Sequence, residues 1–493
     1  MSAPSADGRL ELAGASATAL AVVVQSLLLA GRYPSAHLDA DLLSYLVYYR
    51  QLATGDRIPF GYTVPKVLPV LLLGPLGDPH RAMLATVAVA ALGGALLFLL
   101  AARSLGLAVA LLTGVLYVFD PLRSVLTLRS SVDLYMGVAL IAAMLALRQR
   151  RIGFAAAAIL VAALGKPVAV PCALAILLVP GIAPRRRAWF AALPLLALPA
   201  TAALGSALAG QGVLDALVHP RLPDQHERFV RVAQASPLGV GETLHLVFVE
   251  WFGGTLFART WPLVAVGIAL CALSSWRARR EPEGAPDRGH PHGARTIGLP
   301  VAAVPALLAA GYLAVSLVQP MVVFTRFFWI VTVVLGLMAA YGVVALSRAV
   351  PGSRVAGAAV AATLVAALLA DRWDDHRWRA QFMLVPFEEY AAVADGAVDA
   401  IAHDVACAGP AVVPLAYLPL AVWRAPDKLA RGELCAAEDW VDGLGCGAPN
   451  CVLFIPDALN RDRTRTAVAE LVRGGTILGG GHGSGALVRS RHT

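Results

Sequence analysis

The sequence predicts an α-helical polytopic membrane protein with about eleven transmembrane helices and a small C-terminal extracytoplasmic α/β domain. Of its 493 residues, 58% are hydrophobic and 15% are charged, and the mean hydropathy is +0.69. Its apolar runs approach the ~20 residues that a helix needs to cross a bilayer. The net charge of +8 comes from short arginine clusters between these runs, a pattern that indicates membrane orientation rather than nucleic-acid binding.

The spans define a membrane domain, residues 1–370, and an extracytoplasmic domain, residues 371–493. The first span is predicted near 13–31 and is interpreted as uncleaved, because no charged leader and cleavage site accompany it. The later apolar runs lie at about 82–101, 104–119, 132–147, 152–165, 167–183, 188–209, 256–276, 297–318, 321–346 and 354–370.

Arginine clusters predict the orientation of these spans, because cytoplasmic loops carry the excess of positive charge. The clusters occur in alternate loops and comprise Arg103; Arg148, Arg150 and Arg151; Arg185, Arg186 and Arg187; Arg277, Arg279 and Arg280; and Arg348 and Arg354. With a cytoplasmic N-terminus and an odd number of spans, the first loop and the C-terminal domain lie outside. We therefore expect a multi-pass protein of the plasma or inner membrane.

The C-terminal region has the cysteine content and patterning of a small exported domain. Strands are predicted at 411–415 and 451–456, a helix at 461–473, and a final strand pair around TILGG and ALVRS. The Gly-rich segment 479–485 is interpreted as a turn between strands, since no helix follows it as a phosphate loop requires. Two disulfides with three possible connectivities are predicted here, from Cys407, Cys435, Cys446 and Cys451.

The first outer loop, residues 32–81, concentrates the groups most suited to chemistry. Asp39 and Asp41 follow the first span, where a carboxylate in partly low dielectric suits a general base. Asp39 is the first choice. Asp41, two residues on, points elsewhere on a helix, and its alternatives are helix capping or metal ligation. Gly55-Asp56 and Pro65-Lys66 follow in the same loop.

This loop resembles the first extracytoplasmic loop of the GT-C glycosyltransferases, such as protein O-mannosyltransferases and aminoarabinose transferases. The family pattern is an Asp-Glu pair, a helix, Gly-Asp, Pro, and then Lys-Pro-Pro. Asp39, Gly55-Asp56, Pro59 and Lys66 occupy the matching positions, whereas Ala40 replaces the Glu and Val67-Leu68 replace the prolines. The resemblance implies an inverting transfer of a sugar from a polyprenyl-phosphate donor to a glycan, lipid or protein acceptor.

Sugar transfer from such a donor also needs cations that neutralise the departing phosphate. The resemblance implies this role for Lys66, for Arg326 at the start of a late span, and for Lys166 between two spans; Arg129 in the second outer loop is a further candidate. Arginine suits a phosphate because its planar fork donates two parallel hydrogen bonds. The structural alternative for Arg326 and Lys166 is a snorkelling anchor at the membrane edge.

Further acids and histidines are candidates for acceptor or metal binding. Asp120 and Asp133 lie in the second outer loop, and His219 and His226 in a later outer loop that contacts substrate or merely connects spans. Asp41 and Asp133 are possible ligands of Mg²⁺ or Mn²⁺. Helix capping is the alternative for Asp133, and members of the family differ in whether they need a metal, so no cofactor is assigned.

Two other classes of function compete with the enzyme. A lipid or glycan transporter or flippase places ionisable residues near the bilayer midplane, whereas the candidate groups here gather at the outer ends of spans. A non-catalytic scaffold that presents the C-terminal domain has no need of Asp39, Lys66 and Arg326 on one side.

Overall fold

The structure is a computed structural model. It describes residues 6–55, 66–209, 241–242, 245, 256–280, 298–318, 325–350, 354–379, 385–403, 409–414, 417–441, 447–455, 462–473, 475–481 and 485–489.

Helices form most of the described chain. In chain order they are α1 Ala6–Arg32, α2 Ala40–Thr54, α3 Val67–Leu73, α4 Pro79–Leu105, α5 Leu107–Val118, α6 Pro121–Leu128, α7 Val132–Arg148, α8 Ile152–Gly165, α9 Leu174–Leu177, α10 Pro184–Ala192, α11 Ala197–Ala209, α12 Trp261–Arg280, α13 Leu299–Val318, α14 Trp329–Ala349, α15 Arg354–Arg379, α16 Val385–Ala402, α17 Leu418–Arg424, α18 Pro426–Ala430, α19 Ala437–Val441 and α20 Asp462–Val472.

Membrane-spanning helices are present, but the predicted count of eleven is not confirmed. Within the described ranges, five helical stretches are long and apolar enough to cross a bilayer, or up to six if one bent pair forms a single span. The five stretches are Gly8–Arg32, Pro79–Leu105, Pro184–Leu208, Arg326–Ala349 and Arg354–Arg377. The chain is thus a multi-pass membrane protein.

Proline and sharp bends explain why several predicted spans are not single long helices. The run predicted at 167–183 forms a 3₁₀ helix, Pro167–Ala173, with Pro171 inside it, followed by the short α9. Proline lacks the N–H that an α-helix needs and clashes with the preceding turn. The bent pair is α5 and α6, which meet at 51° because Pro121 starts a new helix after Asp120.

The transmembrane helices share one large core, and glycines allow two of them to approach closely. A Cβ at Gly267 of α12 would lie 1.9 Å from the carbonyl oxygen of Met338 in α14, and one at Gly342 would lie 2.4 Å from that of Leu263. Small residues at such points let helix backbones pack against each other in membranes. This pairing holds α12 against α14, and Arg326 lies in the 3₁₀ helix Thr325–Phe328 that directly precedes α14.

The first outer loop contains two described helices, and sequence signals set the ends of α2. Asp39 is the N-cap and accepts a hydrogen bond from the Asp41 N–H at 2.9 Å. Gly55 ends the helix with φ +74°, a left-handed conformation that glycine adopts without strain. These two residues therefore set the start and the end of α2.

The C-terminal region forms a five-stranded sheet in the order β2-β1-β3-β5-β4. Strands β1, β2 and β3 are parallel, whereas β5 is antiparallel to both β3 and β4. The predicted strands, helix and final strand pair are confirmed. The strands are β1 Ala411–Val413, β2 Leu434–Ala436, β3 Cys451–Phe454, β4 Thr476–Gly481 and β5 Gly485–Arg489.

Two cysteines of the sheet belong to separate disulfides. Cys435 in β2 and Cys451 in β3 are each disulfide-bonded. Because β1 lies between these strands, they are about 9.6 Å apart, beyond the ~7 Å limit for one bridge. The connectivity that joins Cys435 to Cys451 is therefore excluded. Cys407 and Cys446 lie outside the described residues.

The sheet shares a hydrophobic core with the first outer loop. Leu42 and Leu46 of α2 belong to the same buried cluster as Val422 of α17, Val413 of β1 and Leu453 of β3. Nearby, the Glu388 carboxylate of α16 accepts hydrogen bonds from the Ser35 N–H at 2.7 Å and from the Ser35 hydroxyl at 2.9 Å. The C-terminal region therefore lies at the same end of the membrane helices as the first loop.

Candidate functional site

Seven charged residues meet at one end of the membrane helices, and we call them the charged cluster. Each lies at or next to the end of a helix. Three lie at the N-terminal ends of α2 and α3, in the first loop, and the other four lie at the ends of α6, α7, α8 and the 3₁₀ helix before α14. The members are Asp39, Asp41, Lys66, Arg129, Asp133, Lys166 and Arg326. All were predicted as site residues, and the structure brings them together.

Asp39 is a buried, fully engaged member of the charged cluster. One carboxylate oxygen caps α2, and the other accepts a hydrogen bond from Arg129 Nε at 2.5 Å. Its side chain is 4% exposed, against 26% for Arg129. Both oxygens therefore already have partners, and the side chain is held in place.

Asp41 is the more accessible carboxylate, with 22% of its side chain exposed. Its Oδ2 lies 3.4 Å from an Arg326 guanidinium nitrogen, while Arg326 Nε lies 3.6 Å from the Asp133 Oδ2. Arg326 thus bridges carboxylates from the first and second outer loops. It is 25% exposed, so it faces solvent as well as these partners.

Asp133 and Lys166 form a tighter ion pair behind Arg326. Lys166 Nζ lies 2.5 Å from Asp133 Oδ1, and Asp133 is 1% exposed. Ser131, rather than Asp133, is the N-cap of α7, so the predicted alternative of capping does not describe Asp133. Lys166 also lies 4.0 Å above the Phe327 ring, a cation–π contact that fixes its ammonium beside Arg326.

Lys66 joins the charged cluster through an aromatic side chain of the first loop. Its Nζ donates a hydrogen bond to the Tyr45 hydroxyl at 2.8 Å. Burial lowers the pKa of the Lys66 ammonium below that of an ordinary lysine, although Asp41 and Asp133 oppose the shift. The amine therefore loses its proton at a lower pH than a solvent-exposed lysine does.

The cations hold Asp41 in its ionised form. Burial by itself raises the pKa of this carboxyl group, but Arg326, Lys66, Arg129 and Lys166 together outweigh it, so the net pKa lies below its ordinary value. An ionised Asp41 can accept a proton from a bound hydroxyl group at neutral pH.

The balance of charge in the cluster favours an anionic ligand. Four cations face three carboxylates, which leaves one positive charge over. Both Arg326 and Arg129 are about one-quarter exposed. Two arginines and two lysines in a partly dry site suit the oxygens of a phosphate group.

Other predicted site residues do not join the charged cluster. Asp120 caps α6 and forms a buried ion pair with Arg372 of α15 at 3.3 Å, which makes it part of the helix packing. His219 and His226 lie outside the described residues.

Asp41 and Asp133 were named as possible metal ligands, and the residues present there fit a metal site poorly. Within the described ranges, no group of three or more His, Cys, Asp or Glu side chains is arranged to hold a metal ion. The Arg326 guanidinium lies between the two predicted ligands, so a cation there would have to displace it.

Three aromatic residues of the site were not predicted from the sequence. Tyr45 is fully buried and holds Lys66; Tyr312 and Phe327 stack at 4.9 Å with an angle of 5° beside Lys166. The signal for Tyr45 was its position four residues after Asp41, which places both side chains on one face of a helix. Tyr312 gave no such signal, because it lies far from the other residues along the chain.

The fold and the site together define a membrane protein with four cations and three carboxylates gathered at one end of its helices. No family model matches the chain, and no curated protein does. Solved structures similar to it include ArnT from Cupriavidus metallidurans in the apo state, with 15% identity and a TM-score of 0.49 over 94% of this chain and 97% of that one.

Two further solved structures are similar to the chain. ArnT from Cupriavidus metallidurans bound to undecaprenyl phosphate has 15% identity and a TM-score of 0.45, with the same coverage of 94% and 97%. The Archaeoglobus fulgidus oligosaccharyltransferase, in complex with Zn and sulfate, has 12% identity and a TM-score of 0.43 over 78% of this chain and 57% of that one. These neighbours are GT-C proteins, the class that the first outer loop resembles.

Proposed function

We propose that the protein is a membrane glycosyltransferase that moves a sugar from a polyprenyl-phosphate donor to an extracytoplasmic acceptor. The observation that carries this proposal is the charged cluster, in which four cations and three carboxylates meet at the ends of membrane helices. A lipid-linked phosphate reaches such a site from the bilayer while its sugar faces the aqueous side. Sugar transfer needs both a phosphate neutraliser and a base, and the cluster supplies both.

In the proposed reaction, an acceptor hydroxyl oxygen attacks the anomeric carbon of the donor sugar. The bond between that carbon and the phosphate oxygen breaks, and the phosphate leaves with the electron pair in a single inverting step. Arg326, Lys66 and Lys166 stabilise the negative charge on the phosphate. A carboxylate takes the proton of the acceptor hydroxyl.

Asp41 is the better-supported base, although Asp39 ranks first in the sequence. Asp41 is more exposed, so its carboxylate is the one that an acceptor hydroxyl can approach from outside. Asp39 already caps α2 and binds Arg129, which suits a residue that positions Asp41. Arg129, the fourth proposed phosphate contact, then orients the turn that carries both acids. Acceptance of a divalent cation by Asp41 and Asp133 requires Arg326 to move aside.

The experiment that tests this proposal measures binding of radiolabelled undecaprenyl phosphate to the purified full-length protein. Arg326→Gln removes a charge-assisted contact worth about 1.5–3 kcal/mol, and we therefore expect affinity to fall about 10- to 100-fold. Arg348→Gln, at the opposite end of α14, is the matched control and is expected to bind normally. Equal affinity in both variants, or equal binding of the neutral alcohol undecaprenol, would contradict the proposal.

The proposed orientation places the N-terminus in the cytoplasm and residues 371–493 outside. It is tested by introducing single cysteines at exposed positions and labelling intact cells with a membrane-impermeant maleimide. Arg431→Cys, at a side chain that is 54% exposed in the C-terminal region, is expected to react in intact cells. Arg186→Cys, in an arginine cluster, is expected to react only after lysis, and the reverse pattern would overturn the orientation.

A further inference from the structure

A cavity lies apart from the charged cluster, in a groove between α1 and α15. It has a volume of about 370 Å³, and its lining comprises Gln25, Leu28, Leu29, Phe119, Leu369, Arg372, Trp373 and His376. On each helix these positions are three or four residues apart, so they form one face. Both helices pack on α6, whose other end carries Arg129 in the charged cluster.

The groove opens sideways from helices that cross the membrane. Leu28 is 71% exposed and Trp373 is 64% exposed, and both helices meet the criteria for membrane spans. A side opening at this position faces lipid. The ligand that fits it therefore comes from the bilayer, with acyl chains against Leu28, Leu29, Phe119 and Leu369.

The charges at the groove favour an anionic headgroup. Arg372 lines the groove, is 3% exposed and contacts Asp120. Behind Gln25, the fully buried Arg123 donates hydrogen bonds to the Gln25 Oε1 and, at 3.0 Å, to the Ser26 hydroxyl. Asp120 contacts both arginines, Arg372 through its guanidinium and Arg123 through its backbone N–H. Arg32, which is exposed, adds a positive charge near His376, and the Asp375 carboxylate on the same side is paired with Arg379. The excess of positive charge beside the groove attracts a lipid phosphate.

We propose that this groove binds one anionic phospholipid, whose phosphate lies near Arg372 and whose chain fills the apolar wall. The lipid bridges α1, which leads into the first outer loop, and α15, which leads towards the C-terminal region. The lipid thereby stabilises α1, which precedes Asp39 in the chain, and α15, which precedes Glu388. This inference is independent of the proposed sugar transfer.

The test is native mass spectrometry of the full-length protein purified with phosphatidylglycerol or phosphatidylcholine. We expect one tightly retained phosphatidylglycerol and no comparable retention of phosphatidylcholine. Leu28→Trp narrows the groove and is expected to weaken retention about tenfold. Leu20→Trp is the matched control, because Leu20 is 65% exposed on the same helix and does not line the groove; it should retain the lipid.

Three results would overturn the proposal. Equal retention of phosphatidylglycerol in both tryptophan variants would show that the lipid binds elsewhere. Equal retention of both phospholipids in the wild-type protein would show ordinary annular lipid. Undecaprenyl phosphate could also displace phosphatidylglycerol. If it does so in both the wild-type protein and Arg326→Gln, whose charged cluster is altered, the groove would be assigned to the carrier lipid. Arg32→Gln provides a second variant, expected to lose selectivity for the anionic lipid, if Leu28→Trp does not fold.

Discussion

Asp39 and Asp41 are two residues apart, yet their carboxylates differ in contacts and in exposure. Asp39 is bound on both oxygens and buried, whereas Asp41 shares Arg326 with Asp133 and remains partly exposed. The difference arises because Asp39 is the N-cap of α2, with an extended backbone, whereas Asp41 is the second residue of the helix. A cap side chain folds back onto the helix end, while the next acid points outward.

The contact between Arg129 and Asp39 predicts a stability effect that a second substitution removes. Arg129→Gln leaves a buried carboxylate without its cation; because Arg129 is partly exposed, we expect a loss at the low end for such pairs, about 3 kcal/mol. Arg129→Gln with Asp39→Asn should recover most of it, since neutral Asn still caps α2. Thermal unfolding of purified Arg129→Gln, Asp39→Asn and the double variant in detergent measures this. Additive losses in the double variant would mean that the two residues do not interact.

Lys66 predicts a pH dependence of donor binding. Burial lowers the pKa of its ammonium, so the positive charge is present below that lowered pKa and is lost as the pH rises through it. Affinity for undecaprenyl phosphate should therefore fall at a lower alkaline pH than an ordinary lysine would allow. Lys66→Arg keeps the charge, because arginine does not titrate in this range.

The pH profile of Lys66→Arg is the control for this prediction. Its alkaline decline should move to higher pH, whatever its affinity at neutral pH. A decline at the same pH in the wild-type protein and in Lys66→Arg would assign the titration to another group.

At the scale of elements, the first outer loop is held by the C-terminal region. Glu388 of α16 binds the backbone and the hydroxyl of Ser35, four residues before Asp39, and α2 packs in the core of the sheet. The position of the acids thus depends on residues that are more than 340 positions away along the chain. Rigid support of this kind is what a site needs to keep its geometry.

Removing this support should loosen the loop without touching the charged cluster. Glu388→Gln keeps one acceptor oxygen, whereas Glu388→Ala removes both contacts, so we expect faster amide hydrogen exchange around Ser35 in the order Ala, Gln, wild type. In a transfer assay the turnover should fall more than the affinity for donor. Glu470→Ala, in α20, is the control. Identical exchange of the Ser35 segment in Glu388→Ala and the wild-type protein would contradict the role of Glu388.

Apolar runs predicted the positions of short strands better than the continuity of long helices. The strands at 411–413 and 451–454 fall within the apolar runs predicted at 411–415 and 451–456, whereas helix capping was raised for Asp41 and the cap of α2 is Asp39. The run at 167–183 failed as a single span, because its hydropathy is high but Pro167 and Pro171 prevent a regular α-helix. Hydropathy measures transfer into lipid, whereas helix continuity depends on backbone hydrogen bonds.

Across the whole molecule, the sequence predicts that the charged residues lie at the ends of spans, but it does not predict which of them form pairs. Lys166 with Asp133, and Arg326 with Asp41, are tertiary contacts that need the packing of α2, α7, α8 and α14. The inclusion of Asp120 among the site candidates shows the same limit, since its ion pair with Arg372 lies 252 positions away along the chain. The separation of two charged residues along the chain does not give the distance between them in the folded protein.

In the proposed reaction, a carboxylate of the first outer loop removes the acceptor proton during sugar transfer. The most direct measurement is the transfer of radiolabelled sugar from polyprenyl phosphate in membranes that contain wild-type protein, Asp41→Asn or Asp39→Asn, with thermal unfolding as a check on folding. Asn keeps the shape of Asp but cannot accept the proton. We predict that Asp41→Asn lowers turnover about 10²- to 10⁴-fold with donor binding retained, and that Asp39→Asn, which still caps α2, is affected less. A folded Asp41→Asn protein with normal transfer would contradict this account, as would the absence of transfer by the wild-type protein with any polyprenyl-linked sugar, a result expected of a transporter or scaffold.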